Sequence, residues 1–72
     1  MTNTDLLNKY IDDSGYKRSY IAKVLGISRA SLTAKVGNSS EFKASEIEAL
    51  CRLLNIVDPA EKENIFFASK VD

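Results

Sequence analysis

The stretch IAKVLGISRASLTAKVGN, residues 21–38, constrains this chain more than any other part of it. It reads as a short apolar-striped helix, a glycine followed by an apolar residue, and a serine that opens a second striped helix. Each key position meets its own steric demand. Two helices crossing closely need a small residue at the crossing, and Ala22 is one. Four residues later the turn needs a backbone with positive φ, which Gly26 adopts without a Cβ clash. Ile27 anchors the turn in the core, and Ser28 caps the next helix. Leu32, and Val36 one turn on, hold that second helix inward. Six such residues in register predict a helix-turn-helix at about residues 17–37, inside one domain spanning residues 1–72.

The remainder of the chain has the same period. Apolar residues recur at helical spacing, and β-branched alternation is absent, so the fold class is all-α with five helices. The first spans about Thr4 to Asp13, with Thr4 as cap and Leu6, Leu7, Tyr10 and Ile11 as its stripe. The second and third span about 18–25 and 29–36, and Gly37 is placed as the residue that ends the third. A polar loop, residues 38–41, follows. The fourth spans about 44–54, with Lys43 in the cap position, and Phe42 and Ile47 spaced as a hydrophobic staple. It buries Ile47, Leu50, Cys51 and Leu54. The fifth opens with Asp58 as cap, Pro59 at the first helical position and Glu61 as a capping-box partner. It carries Ile65, Phe66 and Phe67, and one small core has difficulty holding both phenylalanines. Phe66 or Phe67 with Val71 forms either a homodimer patch or the closure of the core.

Several function classes find no support. No apolar run approaches the ~18 residues that a membrane-spanning helix needs, and the first residues lack the basic and apolar regions of a secretory signal. A cytoplasmic protein is expected. The single cysteine and the absence of histidine argue against a disulfide or a zinc site, so no metal and no cofactor are expected. Neither histidine nor a glycine-rich phosphate loop is present, and Cys51 lies on an apolar stripe, so no enzyme and no small-molecule substrate are expected.

Charge is distributed unevenly. Formal net charge is zero, yet residues 1–36 carry six bases against three acids, and residues 37–72 carry four against seven. Between residues 17 and 43 there are six bases and one acid. One basic face for a polyanion and one acidic face for water fit this pattern.

Fixing the apolar face of the second motif helix fixes its outer face. Ser28, Arg29, Ala30, Thr33 and Ala34 point outward near its start, where such a helix meets base edges in the major groove. The Arg29 guanidinium matches guanine O6 and N7, and Thr33 and Ala34 suit a thymine methyl. Lys17, Arg18, Lys35, Asn38, Ser39, Ser40 and Lys43 flank this helix as phosphate contacts. Lys17 stands where a capping serine or threonine is expected. A positive charge there opposes the helix dipole, unless a phosphate docks on that helix end. Tyr16 and Tyr20 are expected as partly buried packing residues.

The runs GYKRSYIAKVLGISRASLTAKVGN and EFKASEIEALCRLLNI, with IFF in the final helix, resemble the Cro-like and repressor-like helix-turn-helix proteins of phages of Gram-positive bacteria. The resemblance extends from Leu6 to Phe67. It implies a five-helix lambda-repressor-like domain that binds operator DNA and regulates transcription in the lysis/lysogeny switch. It assigns Ser28, Arg29, Ala30, Thr33 and Ala34 to the operator, and Arg18 and Asn38 to phosphates. Two departures stand out. Lys17-Arg18 replaces the usual Ser or Thr followed by Gln, and the basic excess of a Cro is missing. Size and neutral charge are similar to the modulator-of-repression antirepressors of lactococcal phages. That second resemblance implies a different partner, the DNA-binding domain of a cognate phage repressor.

Overall fold

The computed structural model describes residues 1–68, and these form five helices and no strand. In chain order they are α1 (Thr4–Ser14), α2 (Arg18–Leu25), α3 (Arg29–Val36), α4 (Ala44–Leu54) and α5 (Pro59–Phe66). α2 is central and packs on both α3 and α4, while α1 lies against α3, α4 and α5. Val71, one of the residues expected at a dimer patch, lies outside the described residues.

One apolar cluster draws side chains from all five helices. Leu7, Ile11, Ile21, Leu32, Leu50 and Ile65 are fully enclosed in it. Burying a side chain of this size contributes about 1.5–3 kcal/mol, so these few residues dominate the stability of a small chain. Cys51 belongs to the cluster, and burial pushes its thiol pKa up, which keeps it protonated at neutral pH. Phe66 is buried and meets Phe42 edge-to-face at 5.6 Å, whereas Phe67 is 57% exposed. The core thus admits one of the two phenylalanines.

The caps explain where the helices begin and end, and three expectations need correction. α1 is capped by Asn3 rather than Thr4: Asn3 Oδ1 accepts from the Leu6 N–H at 3.1 Å. Thr4 is drawn away because its hydroxyl donates to the Val36 carbonyl at 2.7 Å, tying α1 to the end of α3. The left-handed residue after α3 is Asn38 (φ 68°), not Gly37 (φ −86°). Gly37 continues the helical course, and the Schellman bond runs from Ser39 N–H to the Ala34 carbonyl at 2.8 Å. Asn38 tolerates this backbone because asparagine enters the left-handed region more readily than other residues with a Cβ. At α5, Asp58 Oδ1 accepts from Ala60 N–H at 2.9 Å as expected, but no return bond comes from Glu61. The Glu61 carboxylate faces Tyr10 instead, where burial first and that carboxylate second push the tyrosine pKa up.

Candidate nucleic-acid interface

The turn between α2 and α3 is built as the sequence requires. Gly26 has φ 73°, its N–H donates to the Lys23 carbonyl at 3.1 Å, and Ile27 N–H donates to the Ala22 carbonyl at 3.0 Å. Together these are the two bonds of a Schellman motif, and they reverse the chain within one residue. Ala22 is buried at the crossing of α2 and α3, and Ile27 is half-buried against the core. Ser28 Oγ then accepts from Ser31 N–H at 3.0 Å, which fixes the start of α3. With Leu32 and Val36 buried, the orientation of α3 is set.

Its outer face carries the expected group. Ser28, Arg29, Ala30 and Thr33 are exposed there, and Ala34 is half-buried at the edge. The Thr33 hydroxyl donates to the Arg29 carbonyl at 3.1 Å, which turns its polar end back onto the helix and leaves the methyl as its free group. The Arg29 guanidinium makes no ion pair among the described residues.

The flanking residues divide into two classes. Ser39, Ser40 and Lys43 are exposed, and Lys17 lies at the open end of α2. Lys17 supplies no side-chain cap to α2, and the first turn of that helix holds no acidic residue. Arg18 meets Asp12 at 3.4 Å, with the aspartate side chain 73% exposed, so the pair is weak and readily exchanged.

Lys35 and Asn38, expected as phosphate contacts, each have a partner within the molecule. Lys35 Nζ lies 2.6 Å from Glu46 Oε1, with both side chains nearly enclosed. Asn38 Oδ1 accepts from Thr2 N–H at 2.8 Å and its Nδ2 donates to the Thr2 carbonyl at 2.8 Å.

Sequence reasoning missed Glu46. It stands at the third position of α4 and accepts the Lys43 N–H at 2.8 Å, one half of a capping box, since a lysine side chain cannot accept the reciprocal bond. The spacing Lys43 to Glu46 carried that signal. The position of Lys35 beside Val36 and three residues after Leu32, on the inward edge of α3, carried the other.

Tyr16 and Tyr20, expected as partly buried packing residues, pack mainly on each other. They are 43% and 48% exposed, with ring centroids 5.3 Å apart, because the core beneath α2 is already filled by Ile21 and Ala22. Val24, one turn beyond Tyr20, is exposed too, so the outer side of α2 presents an apolar strip.

Among the described residues no helix is long and apolar enough to cross a membrane, and no group of acids, cysteines or histidines is arranged to hold a metal ion. No curated protein and no solved structure matches the chain. The family model for the Cro/C1-type HTH DNA-binding domain matches residues 6–61, from α1 into the start of α5. With the motif geometry of α2 and α3, this match places the chain in the Cro/C1-type helix-turn-helix DNA-binding family.

Proposed function

We propose that the protein is a phage-type transcription regulator of the lysis/lysogeny switch, acting in the cytoplasm of a bacterial host. On this reading α3 enters the major groove of an operator. Arg29 pairs with a guanine, and Ala30, Thr33 and Ala34 meet neighbouring base edges. Ser28, Lys17, Arg18, Ser39, Ser40 and Lys43 hold the phosphates on either side. The observation that carries the reading is the exposed start of α3. Arg29 stands there without an ion-pair partner among the described residues, on a helix whose inner face and cap are fixed. The bare first turn of α2 supports it, since a phosphate there supplies the negative charge that Lys17 does not.

The test is a titration of the purified protein against the intergenic DNA beside its gene, at several salt concentrations. Binding at low salt is expected, with log affinity falling against log salt by about 0.9 per phosphate neutralised. Absence of any retarded complex at low salt and micromolar protein overturns the reading.

A second reading, an antirepressor that binds the DNA-binding domain of a phage repressor, draws on a different observation. Net charge is zero, and Tyr16, Tyr20 and Val24 form an uncovered apolar strip beside the motif, a composition suited to a protein partner. Adding a cognate repressor to the same titration separates the two readings. An antirepressor removes the repressor from its operator, whereas an operator-binding regulator makes its own complex.

A further inference from the structure

The pair Lys35–Glu46 joins two helices that otherwise share little direct packing. α3 rests on α2 and α1, and α4 rests on α2 and α1. Between α3 and α4 runs the polar loop, residues 37–43, that carries Ser39, Ser40 and Lys43. One atom, Glu46 Oε1, receives both the Lys35 ammonium at 2.6 Å and the Lys43 N–H at 2.8 Å. The near end of the loop is held separately, by Ser39 N–H on the Ala34 carbonyl and by the Asn38 amide on Thr2. A single carboxylate therefore fixes the far end of the loop to the last turn of the recognition helix.

We infer that Glu46, with Lys35, is a positioning pair for the nucleic-acid interface: it sets the distance between the base-facing start of α3 and the loop that reaches the backbone. The inference rests on the DNA-binding reading for its functional half. Its physical basis is that a nearly enclosed ion pair contributes little net stability, because desolvation offsets the Coulombic gain, while it does select one geometry. A lysine held for stability alone has no need of this arrangement, since a methionine fills the same space without desolvating a charge. Lys35 is the base nearest the loop whose charge faces inward, and its partner is the residue that also caps α4.

The double variant Lys35→Met/Glu46→Gln tests this. The side-chain oxygen of the substituted glutamine still accepts the Lys43 N–H, so the cap of α4 is kept while the tie to α3 is lost. Three quantities are read on wild type and variant: melting temperature, amide hydrogen exchange at Ser39, whose own acceptor the variant leaves unchanged, and affinity for a duplex that the wild-type protein selects from a random-sequence pool. A positioning role gives a nearly unchanged melting temperature and exchange at Ser39 faster by about tenfold, the equivalent of one charge-assisted hydrogen bond. Affinity for the selected duplex falls by a similar factor of about ten. Lys35→Arg, which keeps a charge and a donor, preserves both at the wild-type level. Exchange and affinity unchanged in the double variant overturn the inference, as does a loss of affinity that only follows a lower melting temperature. If the wild-type protein selects no duplex, the DNA-binding reading fails, and the exchange rates still decide whether the pair fixes the loop.

Discussion

The side chain of Asn38 closes on the backbone of Thr2 from both sides, accepting its N–H and donating to its carbonyl, each at 2.8 Å. Thirty-six positions separate the two residues in the chain. The contact imitates one rung of a sheet ladder, and Thr2 is buried within it. It is extended by Asn3 N–H on the Ile65 carbonyl and Ala68 N–H on the Met1 carbonyl, so the first residues link the end of α3 to α5.

Asn38→Ala is expected to cost about 2–4 kcal/mol, because it strips two backbone groups of a buried residue of their partners and places a Cβ residue without a local hydrogen bond at φ 68°. Asn38→Gly loses the same bonds but relieves the backbone, so it is about 1–2 kcal/mol less damaging. Urea unfolding of the two variants measures the difference. Equal losses show that the backbone contribution is absent.

Gly26 and Gly37, at the ends of consecutive helices, respond differently to an added side chain. A Cβ at Gly26 meets nothing within 4 Å, but its φ of 73° strains any other residue, so Gly26→Ala costs about 1–2 kcal/mol. At Gly37 the backbone is ordinary and a Cβ approaches the Thr33 carbonyl at 3.3 Å, a contact that a small shift relieves. Gly37→Ala is expected to change stability by less than about 1 kcal/mol, with the lower helical cost of alanine offsetting the contact. For a chain of this size about 1 kcal/mol moves Tm by about 4–8 °C, so thermal melts resolve the pair.

Burial alone raises the pKa of Glu46. The Lys35 hydrogen bond, the Lys43 N–H and the two nearby ammonium charges outweigh it, and the net direction is downward from 4.5. A carboxyl whose folded pKa lies below its unfolded value adds stability above the unfolded pKa, and that stability disappears as pH falls through the folded one. Stability is therefore expected to be level from about pH 7 to about pH 5 and to decline below the ordinary glutamate value of about 4.3. Glu46→Gln removes this group's share of the decline, and an unfolding series from about pH 7 to about pH 3 on both proteins measures it. Parallel curves for the two proteins contradict the assignment.

Legibility follows the range of the interactions. The helix bounds, the Gly26 turn and the Ser28 cap rest on neighbours within a turn or so of chain, and the apolar period shows which faces turn inward. The phosphate set is harder, because a basic or amide side chain at a helix end looks the same in sequence whether it faces solvent or a distant partner. Lys35 and Asn38 read as free for that reason, yet each binds a distant partner, Glu46 and Thr2, 11 and 36 positions away. Asn3 takes the cap from Thr4 by the same logic, since only the folded chain brings the Val36 carbonyl to the threonine hydroxyl.

The adjacent phenylalanines at the end of α5 give a direct check on the core. Phe66 is buried against Phe42, and Phe66→Ala is expected to cost about 3–5 kcal/mol. Phe67 is exposed, and Phe67→Ser is expected to stay within about 0.5 kcal/mol for a monomer. A larger loss on Phe67→Ser that varies with protein concentration reveals a homodimer built on that residue. Analytical ultracentrifugation of the same variant then shows it dissociated.

Arg29 and Lys17 are expected to fail in different ways on DNA. Arg29 is exposed at the start of α3 with no ion pair among the described residues, and on the proposed reading its loss removes a contact that depends on sequence. Arg29→Ala is expected to cost about 1–3 kcal/mol of discrimination between the preferred duplex and one altered at the contacted guanine, with affinity for unrelated DNA falling much less. Lys17 stands at the bare end of α2 and meets only a phosphate on this reading. Lys17→Ala is expected to weaken all duplexes alike and to lower the salt slope by about 1. Competition titrations at two salt concentrations measure both quantities for each variant. Equal losses on matched and altered duplexes for Arg29→Ala place that arginine on the backbone and leave the reading of bases to Thr33 and Ala34.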